Sequence, residues 1–281
     1  MSNGPSDVQM LKALQASGYL FEQEVATTLE SLGFHVETNS AFLDREMEKS
    51  RELDARAIKV VHTDHTRKIQ VIVELLVECK DMDAPLVFIT RSKNKRELDH
   101  PQPSEYLFPR TKYNVPLGTN TVSEKPGFTY FELCPLHYYY RESEKATQFA
   151  KIVRKGSEWV ANHEGIYDAL ILPMAKALEA RKSAVKTMVQ GGIVWLFFSM
   201  VVIRGNLFSF KAGDSSAVAE PRQRISFIRE LDSEVVKGHY LSDFVVFEHL
   251  RDFITNDVLS FAAAVVEIAQ TKPEVLLGKS T

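Results

Sequence analysis

Three side chains in the first third of the chain have the types and spacing of a hydrolytic centre. Asp54 sits in the short strand-like segment Arg51-Glu52-Leu53-Asp54-Ala55-Arg56-Ala57. Glu78 and Lys80 end the apolar, β-branched run Ile69-Gln70-Val71-Ile72-Val73-Glu74-Leu75-Leu76-Val77-Glu78-Cys79-Lys80. Side chains alternate across a strand, so Glu78 and Lys80 share one face and Cys79 points to the other. Two carboxylates and an ammonium converging at a strand end suit a hard divalent cation and a polarised water. The competing reading is a surface ion-pair cluster. For Cys79, a buried structural thiol is the expectation rather than a nucleophile.

The elements that must hold these groups are legible around them. The polar stretch Thr63-Asp64-His65-Thr66-Arg67-Lys68 predicts a hairpin, which would bring Asp54 towards Glu78. Ahead of it, residues 7–17 read as a short helix capped by Ser6 or Asp7 and broken at Gly18. A second helix is expected over 19–32, with Phe21, Val25, Leu29 and Leu32 on its apolar stripe and Gly33 as its stop. Glu22 lies beside that stripe; taken alone it reads as a solvated glutamate. Residues 34–38 read as a strand, 39–50 as a loop and 86–90 as another short strand.

Six prolines interrupt 91–143, which reads as an irregular insertion. It opens with a basic run, and Arg91, Lys93, Lys95 and Arg96 are candidates for contacting phosphates or simply a solvated loop. The pattern from 143 to about 189 reads as helical. Strands are expected at 193–203, 206–211 and 244–247, a turn at 213–216, a closing helix at 248–269 and a flexible tail at 271–281. This order suggests an α/β (α+β) fold with a central mixed sheet covered by helices, and a single domain over 7–270.

Composition narrows the class. Hydrophobic residues make up 44% and charged residues 25%, as in ordinary globular proteins. The formal net charge of -3 means that any nucleic-acid role needs a local basic surface. Two cysteines argue against a disulfide framework and fit a reducing cytoplasm. The N-terminus has no signal-peptide layout. The apolar run 191–203 is too short for a membrane helix and reads as a buried strand, so no membrane role is expected. No Cys-x-x-Cys pair, zinc-type histidine spacing or phosphate-binding glycine loop is present.

These residues resemble the PD-(D/E)xK, or restriction-endonuclease-like, nuclease superfamily, and within it the Mrr-like and Holliday-junction-resolvase-like group. Asp54 matches the family's first metal-binding aspartate, Glu78-Cys79-Lys80 its (D/E)xK element, and Glu22 with Gly18 and Gly33-Phe34 its first helix. Leu53 replaces the motif's proline. The resemblance covers about residues 18–90; the insertion after Lys80 departs from it and leaves the substrate open. It implies Mg²⁺ (or Mn²⁺) held by Asp54, Glu78, the backbone carbonyl of Cys79 and Glu22. It also implies that Lys80 positions the attacking water, and that the substrate is DNA, with RNA as an alternative. Two other functions compete: a catalytically silent nucleic-acid-binding or scaffold module, and a nuclease subunit targeted by a partner protein. A homodimer is equally open to the chain.

Overall fold

A computed structural model describes residues 4–99, 103–118, 121–163, 165, 167–213 and 218–278. In chain order the helices are α1 (Asp7–Ser17), α2 (Tyr19–Ser31), α3 (Lys95–Asp99), α4 (Gly127–Tyr130), α5 (Tyr138–Arg141), α6 (Leu172–Gln190), α7 (Leu250–Phe253), α8 (Leu259–Thr271) and α9 (Pro273–Leu276). The strands are β1 (His35–Asp44), β2 (Lys49–Asp64), β3 (Ile69–Asp81), β4 (Leu86–Ser92), β5 (Tyr106–Leu107), β6 (Tyr113–Pro116), β7 (Val122–Lys125), β8 (Glu144–Lys155), β9 (Glu158–Asn162), β10 (Ile193–Arg204), β11 (Leu207–Lys211), β12 (Glu220–Pro221), β13 (Arg224–Asp232) and β14 (Lys237–Val246).

One mixed sheet organises all of these strands except β6 and β7, which pair with each other; its main order is β1-β2-β3-β10-β14-β13-β8-β4-β11-β12, with β5 against β10 and β9 against β8. The β1-β2-β3 meander is antiparallel, whereas β10 runs parallel to both β3 and β14. β3 and β10 are buried on both faces, which is why both read as nearly continuous apolar runs. On one face, Val71, Val73, Leu75, Val77 and Cys79 of β3 pack with Phe21, Val25 and Leu29 of α2 and Phe261 and Val265 of α8. On the other, Ile72, Leu76, Trp195 and Phe197 meet Ala177, Leu178, Val185 and Val189 of α6.

β3 and β10 then bend together. Residues 82–85 lead β3 into β4, and Gly205 and Asn206 lead β10 into β11; Met82 N–H donates to the Arg204 carbonyl and Leu86 N–H to that of Asn206, each at 2.9 Å. β8 bridges β13 to β4, so the far half of the sheet curls back around a third core of Leu86, Phe88, Ala146, Ile203, Leu207, Phe227 and Phe244. Gly205 allows the bend: its φ is +149°, and a Cβ there would lie 2.6 Å from the Met82 carbonyl oxygen. Gly205→Ala is therefore expected to cost more than about 1 kcal/mol, read as a lower denaturation midpoint.

Several expectations are corrected. The loop at 39–50 is instead the rest of β1, a turn and the start of β2. The first part of the helical stretch from 143 is the β8–β9 hairpin, because Phe149, Ile152 and Val153 have a spacing that also suits a strand; the helix α6 begins only at Leu172. The polar stretch before 244 holds β13 and most of β14. The described parts of 91–143 contribute to the main core, where Tyr106, Phe108, Phe128 and Tyr138 join Phe198 and Phe261; residues 100–102 and 119–120 lie outside the described residues. Helix α9 lies in the expected tail, with Leu276 fully buried and its carbonyl accepting from the Tyr113 hydroxyl at 2.8 Å. Residues 279–281 of that tail, 214–216 of the expected turn, and 164 and 166 of the expected helix lie outside the described residues. The capped first helix is present: Ser6 and Gln9 form a reciprocal capping box.

Candidate active site

The hairpin register brings the acidic pair together. Ala55 pairs with Val77, so one step further the antiparallel ladder sets Asp54 opposite Glu78. Both then lie where β3 is about to bend, with Lys80 beside Ile203 of β10. Lys80 Nζ donates to Glu78 Oε2 at 2.9 Å and to Asp54 Oδ2 at 3.4 Å. Asp54 Oδ2 also accepts the Cys79 backbone N–H at 2.7 Å, which fixes the carboxylate against the neighbouring strand.

Burial divides the roles. Glu78 is 6% exposed, and burial pushes its carboxyl up to about 7, with the Asp54 charge adding to the rise and Lys80 opposing it. Burial alone would lower the Lys80 ammonium, but Glu78 and Asp54 outweigh it and hold Lys80 above its usual range. Cys79 lies in the core under α2 and α8, where burial raises its thiol and keeps it protonated, as expected of a structural cysteine.

Glu22 enters from α2. It is half-buried, and its carboxyl is raised by burial and then by the Asp54 charge, against a lowering by Lys80. It therefore lies within electrostatic reach of both. Arg204 ties α2 to this strand end: its guanidinium stacks 4.3 Å from the Phe21 ring centre and pairs with Glu24 and with Asp81. Sequence reasoning missed Arg204 as a positioning residue; the signal was a lone cation closing the apolar strand β10.

Of the basic run, Arg91, Lys95 and Arg96 are exposed. Lys93 is corrected: it is 8% exposed, donates to the Tyr139 carbonyl and lies 3.7 Å from the Tyr139 ring centre. Burial lowers its ammonium to about 8, so it faces the core rather than a phosphate. The run begins at the end of β4, where Arg91 pairs with Lys145, away from the bend beside Lys80.

Among the described residues, no three His, Cys, Asp or Glu side chains converge as a ready metal cage. No helix of the described residues is long and apolar enough to cross a membrane. Two further buried charge groups hold the same sheet. Glu74 joins Arg56, Arg181 and Trp195, and Asp44 joins Lys176 and Arg51.

Comparison with protein-family models, with curated proteins and with solved structures finds no match for this chain.

Proposed function

We propose that this chain is a Mg²⁺-dependent (or Mn²⁺-dependent) nuclease with a restriction-endonuclease-like core, hydrolysing phosphodiester bonds in DNA. One observation carries the reading: Lys80 Nζ is held between Asp54 of β2 and Glu78 near the end of β3, with Glu22 near enough to feel both charges. Asp54, Glu78 and the Cys79 carbonyl are the oxygens that would hold the cation, and Glu22 would meet it directly or through water. A bound cation would supply charge for the phosphate and acidify a water.

The chain's own residues do the rest. Asp54 is oriented by the Cys79 N–H, so its second oxygen is free to face a ligand. Glu78, with its carboxyl raised to about 7 by burial, would be drawn further towards its ionised form by a bound cation. Lys80 then turns from balancing both carboxylates to orienting the attacking water and offsetting charge on the phosphate. A catalytically silent binding module is the second reading. It is favoured by the fact that Lys80 already satisfies both carboxylates unaided.

The test is nicking of supercoiled plasmid with Mg²⁺ and with EDTA, beside calorimetric titration of Mg²⁺. Asp54→Asn and Glu78→Gln are expected to stay folded, lose Mg²⁺ binding and lose nicking, because a neutral amide lacks the charge that draws the cation. Unchanged Mg²⁺ affinity in both variants would sink the metal assignment, and a wild-type protein that nicks nothing in Mg²⁺ favours the silent module.

A further inference from the structure

The β8–β9 hairpin has no part in the chemistry above, yet its β8 strand reaches the bend that follows β3. β8 pairs with β4 only as far as Lys151, opposite Leu86. Its next N–H, that of Ile152, donates to the Pro85 carbonyl at 3.0 Å. Pro85 belongs to the bend that follows β3, so the hairpin leaves the sheet at the connection that begins just after Lys80. Beyond that bond β8 is paired with β9 alone, from Ile152 opposite Ala161 to Lys155 opposite Glu158, and among the described residues β9 pairs with no other strand. Gly156, at φ +65°, turns the tip. The result is a freestanding two-stranded ribbon, whose five residues from Lys151 to the tip span about 17 Å.

Its surface is locally basic. Residues 151–162 carry Lys151, Arg154 and Lys155 against the single carboxylate of Glu158, in a protein of net charge -3. Trp159 is 67% exposed and stands directly opposite Arg154, so an aromatic ring and a guanidinium share one face. Lys155 and Lys151 alternate onto the other face. Two strands with their side chains are about 10 Å across, and the major groove of B-form DNA, about 12 Å wide, admits such a ribbon. The deep, narrow major groove of A-form RNA does not.

We propose that this ribbon is the DNA-gripping arm of the protein. It enters the major groove of a B-form duplex with Arg154, Lys155 and Lys151 on the flanking phosphates and Trp159 against the groove wall, and so brings the backbone to Lys80. The inference rests on the nuclease reading for its location, but it is tested without catalysis. Binding of a labelled DNA duplex, the matching single strand and an RNA duplex is measured by anisotropy in EDTA at several salt concentrations. The triple variant Lys151→Gln, Arg154→Gln, Lys155→Gln is expected to bind the DNA duplex at least about tenfold more weakly. Its log–log salt slope should be shallower by about 2–3, roughly one unit for each phosphate that the variant no longer neutralises. Trp159 emission should be quenched by the DNA duplex, since the chain's other tryptophan, Trp195, is 5% exposed. Arg154→Gln alone, which leaves the ribbon backbone untouched, should give part of the loss.

A folded triple variant with wild-type affinity and slope overturns the proposal. So does tighter binding of the single strand or the RNA duplex, or a wild-type protein that ignores DNA duplex. Ribbon-dependent binding in a protein that never cuts upholds the arm and removes the nuclease. Metal-dependent cutting untouched by the ribbon variants does the reverse.

Discussion

Lys80→Ala is expected to lower Mg²⁺-dependent cleavage of duplex DNA by about 10²–10⁴-fold, the usual worth of one positioned proton-transfer or charge-stabilising group. The protein should remain folded, because the Lys80 side chain is only partly buried and sits next to the end of β3. Metal binding should survive or strengthen, since the ammonium that competes for Asp54 and Glu78 is gone. The variant also separates a chemical role from a structural one. Without Lys80, two carboxylates face each other unbalanced, so the variant should melt lower than wild type in EDTA and recover in Mg²⁺. A purely structural lysine predicts the lower melting temperature with an unchanged rate per folded molecule. The measurement is single-turnover cleavage of labelled duplex, with circular dichroism on the same preparation. A folded variant cutting at the wild-type rate would end the proposed mechanism.

The largest effect on stability is expected from Glu74→Ala. Glu74 is fully buried in mid-β3 and accepts from Arg181 Nε at 2.6 Å, Arg181 Nη2 at 3.2 Å and Trp195 Nε1 at 2.8 Å, with Arg56 3.5 Å away. Truncating it leaves the Arg181 guanidinium and the Trp195 indole N–H without their acceptor, while Arg56 keeps its bond to Glu37. Breaking a buried pair from one side costs about 3–5 kcal/mol. At about 2–4 °C per kcal/mol for a chain of this size, the melting temperature should fall by roughly 6–20 °C. Glu74 shares its strand face with Glu78 but lies four residues back, so cleavage per folded molecule should stay unchanged. Thermal melts and rates measured together check both halves. A melting temperature equal to wild type would mean that the Arg181 guanidinium and the indole N–H find water or other partners instead.

The candidate site was readable because its determinants are local. A hairpin turn at 63–68 sets the register, strand alternation sorts Glu78 and Lys80 from Cys79, and the apolar length of 69–77 marks a buried strand. α2 was readable from its stripe and its glycine stops. What escaped reading is non-local. Lys93 looks like its neighbours in a basic run, and only its place after β4, against Tyr139, turns it inward. The prolines of 91–143 suggested an appendage, yet the aromatic residues between them fill the space beneath β10 and α8. Phe149, Ile152 and Val153 satisfy a helical spacing and a strand pairing equally, and Gly156 was the neglected sign of a turn. Ile225 and Phe227 alternate as a strand should, but the charges of Arg224, Arg229 and Glu230 around them made the stretch read as polar. Strand order is carried by no local pattern at all.

The pairing at the centre of the sheet also dictates an order of events during synthesis. β3 meets β2 across a four-residue turn, but its other neighbour is β10, and Gln70 waits for Ile193, 123 positions later. At about 5–20 residues per second, a ribosome needs roughly 6–25 s to supply that strand. Throughout that interval the nascent meander carries one long, flat, apolar edge with its N–H and C=O groups unpaired, the kind of edge that recruits other chains. Parallel pairing across such a gap is also slow, because the loop must close before any pairing rewards it. Truncation before residue 193 should therefore yield an aggregating fragment rather than a smaller folded protein, and yield in expression should depend on holdase chaperones more than on the stability of the finished chain.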